Sequence, residues 1–212
     1  MTLAKEQIAE LLAPFLEGTL VSDRRLEAVG TYLDLLLKWN SRINLTAVRD
    51  SEKIITRHFG ESLFAARHLF PNPQQKKMTA IDIGSGAGFP GLPLKIWHEA
   101  LELTLAESNQ KKAVFLREVA RTLQLVGVTV LAERAERISS TADLLILRAV
   151  EHFENILPTA RRLLNTRGRL VLLIGDAQVQ LARDTLADLR WEPPLHIPLS
   201  RNRSLLVGFN ER

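Results

Sequence analysis

Cysteine is absent from this 212-residue chain. With no thiol there is no disulfide framework, no thiolate metal site and no cysteine nucleophile, and the composition suits a reducing cytoplasm. Long apolar runs are missing as well, so no membrane-spanning helix is expected. Residues 1–7 lead into an amphipathic pattern and not an unbroken apolar one, so a secretory signal is not expected either. Aromatic residues are scarce at 6%, with a single tyrosine. That weighs against an aromatic-lined pocket for a small organic substrate. No internal repeat or low-complexity tract occurs.

What is present suffices for one core. Hydrophobic residues make up 46% of the chain, and its length suits one globular domain with a small appendage. The net charge is +4, carried mostly by arginine. Arginine forks match phosphate oxygens and stack on bases, so a nucleic-acid partner is one reading and a merely solvated arginine-rich surface the other.

Residues 1–72 read as a helical N-terminal extension. Ile8, Leu11, Leu12, Phe15 and Leu16 share one helical face. Ser22 is placed to cap a second helix, with Leu26, Val29, Leu33 and Leu37 inward, running to about Trp39. A loop around Asn44-Leu45-Thr46 follows, and Asp50 or Ser51 opens a third helix carrying Arg57, His58, Glu61 and Ser62. The prolines and polar residues of 71–77 mark a boundary. From 78 to 212 the pattern alternates. Apolar runs at 79–83, 103–106, 128–131, 143–147 and 169–174 predict buried strands, and helical patterns near 90–99, 109–124, 151–164 and 177–189 separate them. The expected fold class is α/β: a Rossmann-like, mostly parallel, doubly wound sheet. Runs at 195–199 and 204–209, joined across Arg201-Asn202-Arg203, predict a closing antiparallel hairpin.

The sharpest motif is Ile81-Asp82-Ile83-Gly84-Ser85-Gly86-Ala87-Gly88-Phe89-Pro90-Gly91. A strand runs into a glycine turn and then a helix, with Pro90 suited to the first helical position. Glycines such as Gly84 and Gly86 let a ligand approach the backbone, beyond the carboxyl ends of the strands. Gly86, Gly88 and Gly91 also satisfy the dinucleotide pattern, but that frame starts late and Pro90 interrupts it. Asp82 before the glycines favours S-adenosylmethionine over a nicotinamide, because its carboxylate can orient the loop and attract the methionine ammonium.

Glu107 ends the next strand, about 25 residues on, where an acid can accept hydrogen bonds from both ribose hydroxyls; a surface glutamate is the plain alternative. Ala135 and Glu136 follow the third strand, placed to read an adenine ring, though an ordinary helix start looks the same. Arg148 follows the fourth strand. A charge there needs a ligand, a phosphate or an acid such as Glu151. At this strand end an Asn/Asp-Pro-Pro-aromatic run is common in enzymes that methylate exocyclic amines; here it reads Leu147-Arg148-Ala149-Val150. Covalent pyrimidine methylation needs a cysteine. What remains is an acceptor nucleophilic in its neutral form, such as guanine N7, with alignment and electrostatics in place of a general base. A-form RNA hides that edge, so an unpaired or distorted nucleotide is the expected target.

Taken together, Lys38-Trp39-Asn40, Asn44-Leu45-Thr46, Arg57-His58 with Ser62-Leu63, the stretch Asp82 to Gly91 and Arg148-Ala149 resemble the small-subunit rRNA guanine-N7 methyltransferases, formerly called glucose-inhibited division protein B. The similarity covers nearly the whole chain. It implies a cytoplasmic enzyme that takes S-adenosylmethionine as donor and methylates N7 of one guanine in 16S rRNA of the small ribosomal subunit, with no metal and no membrane partner. Carried over, Gly84 and Phe89 contact the donor, Ala135 and Glu136 hold its adenine side, Arg148 completes the pocket and Glu107 takes the ribose. Three positions depart from the family pattern: Glu61 where aspartate is usual, Leu147 where serine is frequent, and Ile174 where lysine usually precedes the glycine.

Arg42, Arg49, Arg57 and His58 cluster around the loop and third helix, a basic face suited to the RNA backbone, although His58 reads equally well as a packed core residue. A monomer is expected. The rival readings are a nicotinamide-dependent oxidoreductase, a non-catalytic ribosome-assembly factor on the same fold, and a small-molecule methyltransferase.

Overall fold

The computed structural model describes residues 3–71, 77–150 and 152–211. Most of the 71–77 boundary, and Glu151 as a partner for Arg148, therefore lie outside the described residues. The N-terminal helices are α1 (Lys5–Leu16), α2 (Asp23–Asn40), the single turn α3 (Ser51–Ile54) and α4 (Glu61–Leu69). Asp50 caps α3, its side chain accepting from the Lys53 amide at 2.9 Å. The expected third helix is not continuous. Residues Ile55–Gly60 form a π-helical turn between α3 and α4, a conformation frequent at functional sites, and it carries Arg57 and His58.

The remaining elements are β1 (Met78–Ile83), α5 (Gly91–Trp97), β2 (Leu101–Ala106), α6 (Gln110–Thr122), β3 (Val128–Leu131), β4 (Ala142–Arg148), α7 (Phe153–Leu163), β5 (Leu164–Gly175), α8 (Val179–Thr185), β6 (Arg190–Trp191), β7 (Leu195–His196) and β8 (Arg203–Phe209). The strands lie in the order β3-β2-β1-β4-β5-β8-β6, with β7 also on β8. β1 to β5 pair in parallel and β8 runs antiparallel to β5. This is the Rossmann-like, mostly parallel, doubly wound sheet expected, with β8 added antiparallel. The predicted hairpin is present, but its first arm shrinks to Leu195–His196, because Pro198 has no amide for the ladder and residues 197–200 turn instead. Pro90 stands one residue before α5, not at its first position, and the Phe89–Pro90 peptide is cis.

Alternation along the strands feeds two cores. Ala80, Leu144, Ile146, Val171 and Leu205 face the side covered by α1, α2 and α4–α6; Ile81, Ile83, Leu145, Leu147 and Leu172 face α7 and α8. The N-terminal helices thus share one hydrophobic cluster with the sheet. Ile174, where the family usually has lysine, is buried in the second cluster with Ala182 and Leu186, so it lies off the protein surface. Leu147 is fully buried there too. Among the described residues no helix is long and apolar enough to cross a membrane.

Candidate functional site

The sheet order reverses between β1 and β4, and the crevice beyond their carboxyl ends is where an open α/β sheet binds ligands. Two adjoining cavities lie there, of about 400 and 510 Å³, sharing Gly84, Glu107, Ser108 and Val150 as a common wall.

The glycine turn forms the floor. The Gly84 and Ser85 amides donate to the Ala106 carbonyl at 2.9 and 3.1 Å, tying the turn to the end of β2. Gly84, Gly86 and Gly88 all have positive φ. At Gly86 a side chain would meet nothing closer than the Gly84 carbonyl at 3.8 Å, so the space above it is open to a ligand. Gly88 is constrained in the opposite way, by the Tyr32 hydroxyl and Leu92 pressing where its Cβ would be. Glu107 accepts from the Gly86 and Asn109 amides, both at 2.8 Å, one on each carboxylate oxygen. Each oxygen keeps a lone pair for a ribose hydroxyl.

Asp82 lies deeper than its place before the glycines suggests. It orients the loop as expected, its carboxylate accepting from the Gly91 amide at 3.1 Å, but it is only 1% exposed and lines neither cavity. Burial raises its pKa to about 7, against the lowering effect of the Gly91 and Ser85 hydrogen bonds and of Arg148. It is a support beneath the floor.

Ala135 and Glu136 line the first cavity from a 3₁₀ turn, Ala135–Arg137, as the sequence places them. Arg162 of α7 pins this turn, donating to the carbonyls of Ile138 at 2.9 Å and Glu136 at 3.2 Å. Nothing local in the sequence singled out Arg162. Beside the same cavities Ala149 and His152 adopt left-handed φ of 50° and 51°, strained backbone of the kind that collects at functional sites.

The second cavity is walled by the N-terminal region. Asn40, at the end of α2, holds the following loop. Its Oδ1 accepts from the Leu45 and Thr46 amides at 2.8 and 3.0 Å, and its Nδ2 donates to the Thr46 carbonyl at 3.0 Å. Leu45, Thr46 and His58 thereby line the cavity opposite Gly86. Phe89 lines it as well, its ring packed against Tyr32 at 5.2 Å and His58 at 5.0 Å, with Phe59 edge-on. The residue is only 6% exposed. Tyr32, absent from the sequence expectations, also donates to the Ala87 carbonyl at 2.5 Å and so ties α2 to the glycine turn.

Arg148 lines the second cavity with its Nη2 held from the other side, while its buried Nε has no hydrogen-bond partner among the described residues. Nη2 donates to Glu61 at 3.0 Å and to the Arg57 carbonyl at 2.8 Å, with the side chain 7% exposed. The compensating acid is thus Glu61. The same carboxylate binds Arg203 through its other oxygen. The longer glutamate, standing where the family usually has aspartate, bridges α4 to two strand ends at once.

His58 is a packed residue of the cavity wall and not part of the exposed basic face. It is 9% exposed and bonded on both ring nitrogens, to Arg148 at 3.1 Å and to Thr46 at 2.8 Å. Burial, followed by the charges of Arg148, Arg57 and Arg203, lowers its pKa to about 3. It stays neutral and supplies no cation. Arg42, Arg49 and Arg57 are exposed. Arg57 also lines a further cavity of about 350 Å³ with Arg201 and Arg203 of the 198–203 turn.

With this geometry in hand, residues 25–190 match the family model described as "rRNA small subunit methyltransferase G". The chain belongs to that family. It is 38% identical over 203 residues to the ribosomal RNA small subunit methyltransferase G of Chloroflexus aggregans, covering 90% of this chain and 84% of that one. In structure it is similar to a ribosomal protein L11 methylase from Lactobacillus delbrueckii subsp. bulgaricus, with TM-score 0.60, 13% identity and 74% and 80% of the two chains covered. A SAM-dependent methyltransferase from Aquifex aeolicus gives TM-score 0.58 at 16% identity, covering 76% and 94%. At those identities the structural likeness speaks for the fold alone. Family membership removes the nicotinamide reading and makes S-adenosylmethionine the cofactor. The residues present fit it: an open glycine turn, a buried carboxylate with free lone pairs, and a second compartment next door.

Proposed function

We propose that this protein transfers the methyl group of S-adenosylmethionine to N7 of a guanine in the 16S rRNA of the small ribosomal subunit, as a cytoplasmic monomer. The observation that carries this reading is that, among the described residues, no titratable side chain on the second cavity is left as a general base once the donor is bound. His58 has both nitrogens bonded, Glu107 carries an amide on each oxygen and gives its remaining lone pairs to the ribose hydroxyls of the bound donor, and Lys112 and Arg148 are donors only. Among the described residues the cavity therefore has no group free to take a proton, which suits a nucleophile that has none to lose. The in-plane lone pair of guanine N7 is such a nucleophile.

S-adenosylmethionine, when bound, supplies an electrophilic methyl group on a positively charged sulfur. The chain's own work is alignment. Glu107 holds the ribose, Gly84 and Gly86 admit the donor against the backbone, and Ala135 with Glu136 frames the adenine. Arg42, Arg49 and Arg57, joined by Arg201 of the neighbouring basic cavity, position RNA phosphates. Methyl transfer from labelled donor to isolated small subunits, followed by nucleoside mass mapping, tests the reading. A 7-methylguanosine, identified by aniline cleavage after reduction, is the expected product. Label on an exocyclic amine or a ribose overturns N7, and no label at all points to the assembly-factor alternative.

A further inference from the structure

Hydrogen-bond directions around His58 leave one polar atom with a single possible role. Both protons of Arg148 Nη2 are shared among the Arg57 carbonyl, Glu61 and His58 Nδ1, and because a guanidinium carries no lone pair, the Nδ1 facing it at 3.1 Å is the nitrogen without a proton. The ring proton then resides on Nε2 and is donated to Thr46 Oγ1 at 2.8 Å. The Val48 amide donates to the same oxygen at 3.1 Å. Both lone pairs of the Thr46 hydroxyl are thereby used, and only its proton remains to be given. Among the described residues no acceptor receives it. Thr46 lines the second cavity together with Gly84, Ser85 and Gly86 of the glycine turn, and Asn40 holds its backbone amide and carbonyl.

We propose that Thr46 is a specificity-determining residue whose hydroxyl, locked as a donor by the Arg148–His58 chain, selects an acceptor base carrying a carbonyl oxygen beside its nucleophilic ring nitrogen. In guanine O6 flanks N7 on the same edge; in adenine that place holds an amino group, itself a donor, which would meet the Thr46 proton head-on. A neutral donor between the apolar walls of Leu45 and Phe89 suits a flat neutral base better than the donor's carboxylate, which calls for a cation or backbone amides. The inference rests on the N7 reading and gives it a reason for choosing guanine.

The test uses the full-length protein and small-subunit RNA carrying either guanine or 2-aminopurine at the mapped position; the analogue keeps N7 and lacks O6. Wild type should prefer guanine in kcat/KM by roughly 10- to 100-fold. Thr46→Val should lose that preference with its affinity for S-adenosylhomocysteine unchanged, and Thr46→Ser should keep it. A purely structural role for Thr46 lowers both substrates alike and leaves the ratio intact, which overturns the proposal. So does a parallel fall in S-adenosylhomocysteine affinity, which would turn the hydroxyl toward the donor. Should Thr46→Val not fold, the wild-type ratio decides: equal use of the two bases ends the idea. Failure of wild type to methylate guanine at all refutes the parent reading instead.

Discussion

On the donor side of the crevice the polar contacts run through backbone close in sequence or on adjacent parallel strands. Glu107 binds amides 2 and 21 residues away, and the glycine turn hangs from the end of β2. Across the crevice the contacts join side chains 87 and 142 residues apart, Glu61 with Arg148 and with Arg203. The first wall follows from strand–turn–helix geometry and tolerates an open cavity. The second is a buried charge cluster that stands only if every member is in place, because each charge removed from water needs its partner.

The largest effect should come from breaking that cluster. Glu61→Ala leaves Arg148 and Arg203 without their acid and should destabilise the fold by about 3–5 kcal/mol in urea titration. A loss below about 1 kcal/mol would mean the arginines regain water easily and the two walls are alike.

The pH dependence separates the walls next. Asp82, under the glycine floor, has its folded pKa raised from 3.8 to about 7. Its contribution is full below pH 4 and is lost as pH rises toward 7. His58, in the opposite wall, has its pKa lowered from 6.5 to about 3. Its contribution is full above pH 6.5 and is lost as pH falls toward 3. Between about pH 4 and 6.5 the two slopes oppose, so wild-type stability should be nearly flat there. In Asp82→Asn stability should fall on acidification; in His58→Gln it should fall as pH rises. Each slope amounts to roughly 3–4 kcal/mol across the window. Parallel curves in all three proteins would remove the argument.

Glu107→Ala should weaken donor binding by roughly 10- to 100-fold in calorimetry, since it deletes a charged acceptor, with RNA affinity little changed. The smallest effect is the mirror image. The double variant Arg42→Ala, Arg57→Ala should lower RNA affinity severalfold and reduce the salt slope by about 2, with donor binding intact. An unchanged salt slope would take these arginines off the RNA path.

The donor wall was legible because its signals are local. A strand running into Gly84-Ser85-Gly86 and an acid closing the next strand can be read from a few consecutive residues, and Gly84, Gly86, Glu107, Ala135 and Glu136 all line the cavities. Asp82 was misplaced by one layer, because strand parity that puts Ile81 and Ile83 on one face turns Asp82 beneath the other, toward α5. Tyr32 and Arg162 carry no local signal, because their partners are 55 and 24 residues distant.

The chain's own order of residues determined the alternation of strands and helices, the glycine turn and the absence of thiol chemistry, each a matter of local propensity, spacing or composition. Tertiary structure alone decided that Arg148 pairs with Glu61, that Phe89 is packed among Tyr32, His58 and Phe59, that His58 is neutral and that Thr46 has only a proton to offer. Partner choice and burial are properties of the packed chain, and no spacing along the sequence encodes which lone pairs remain free.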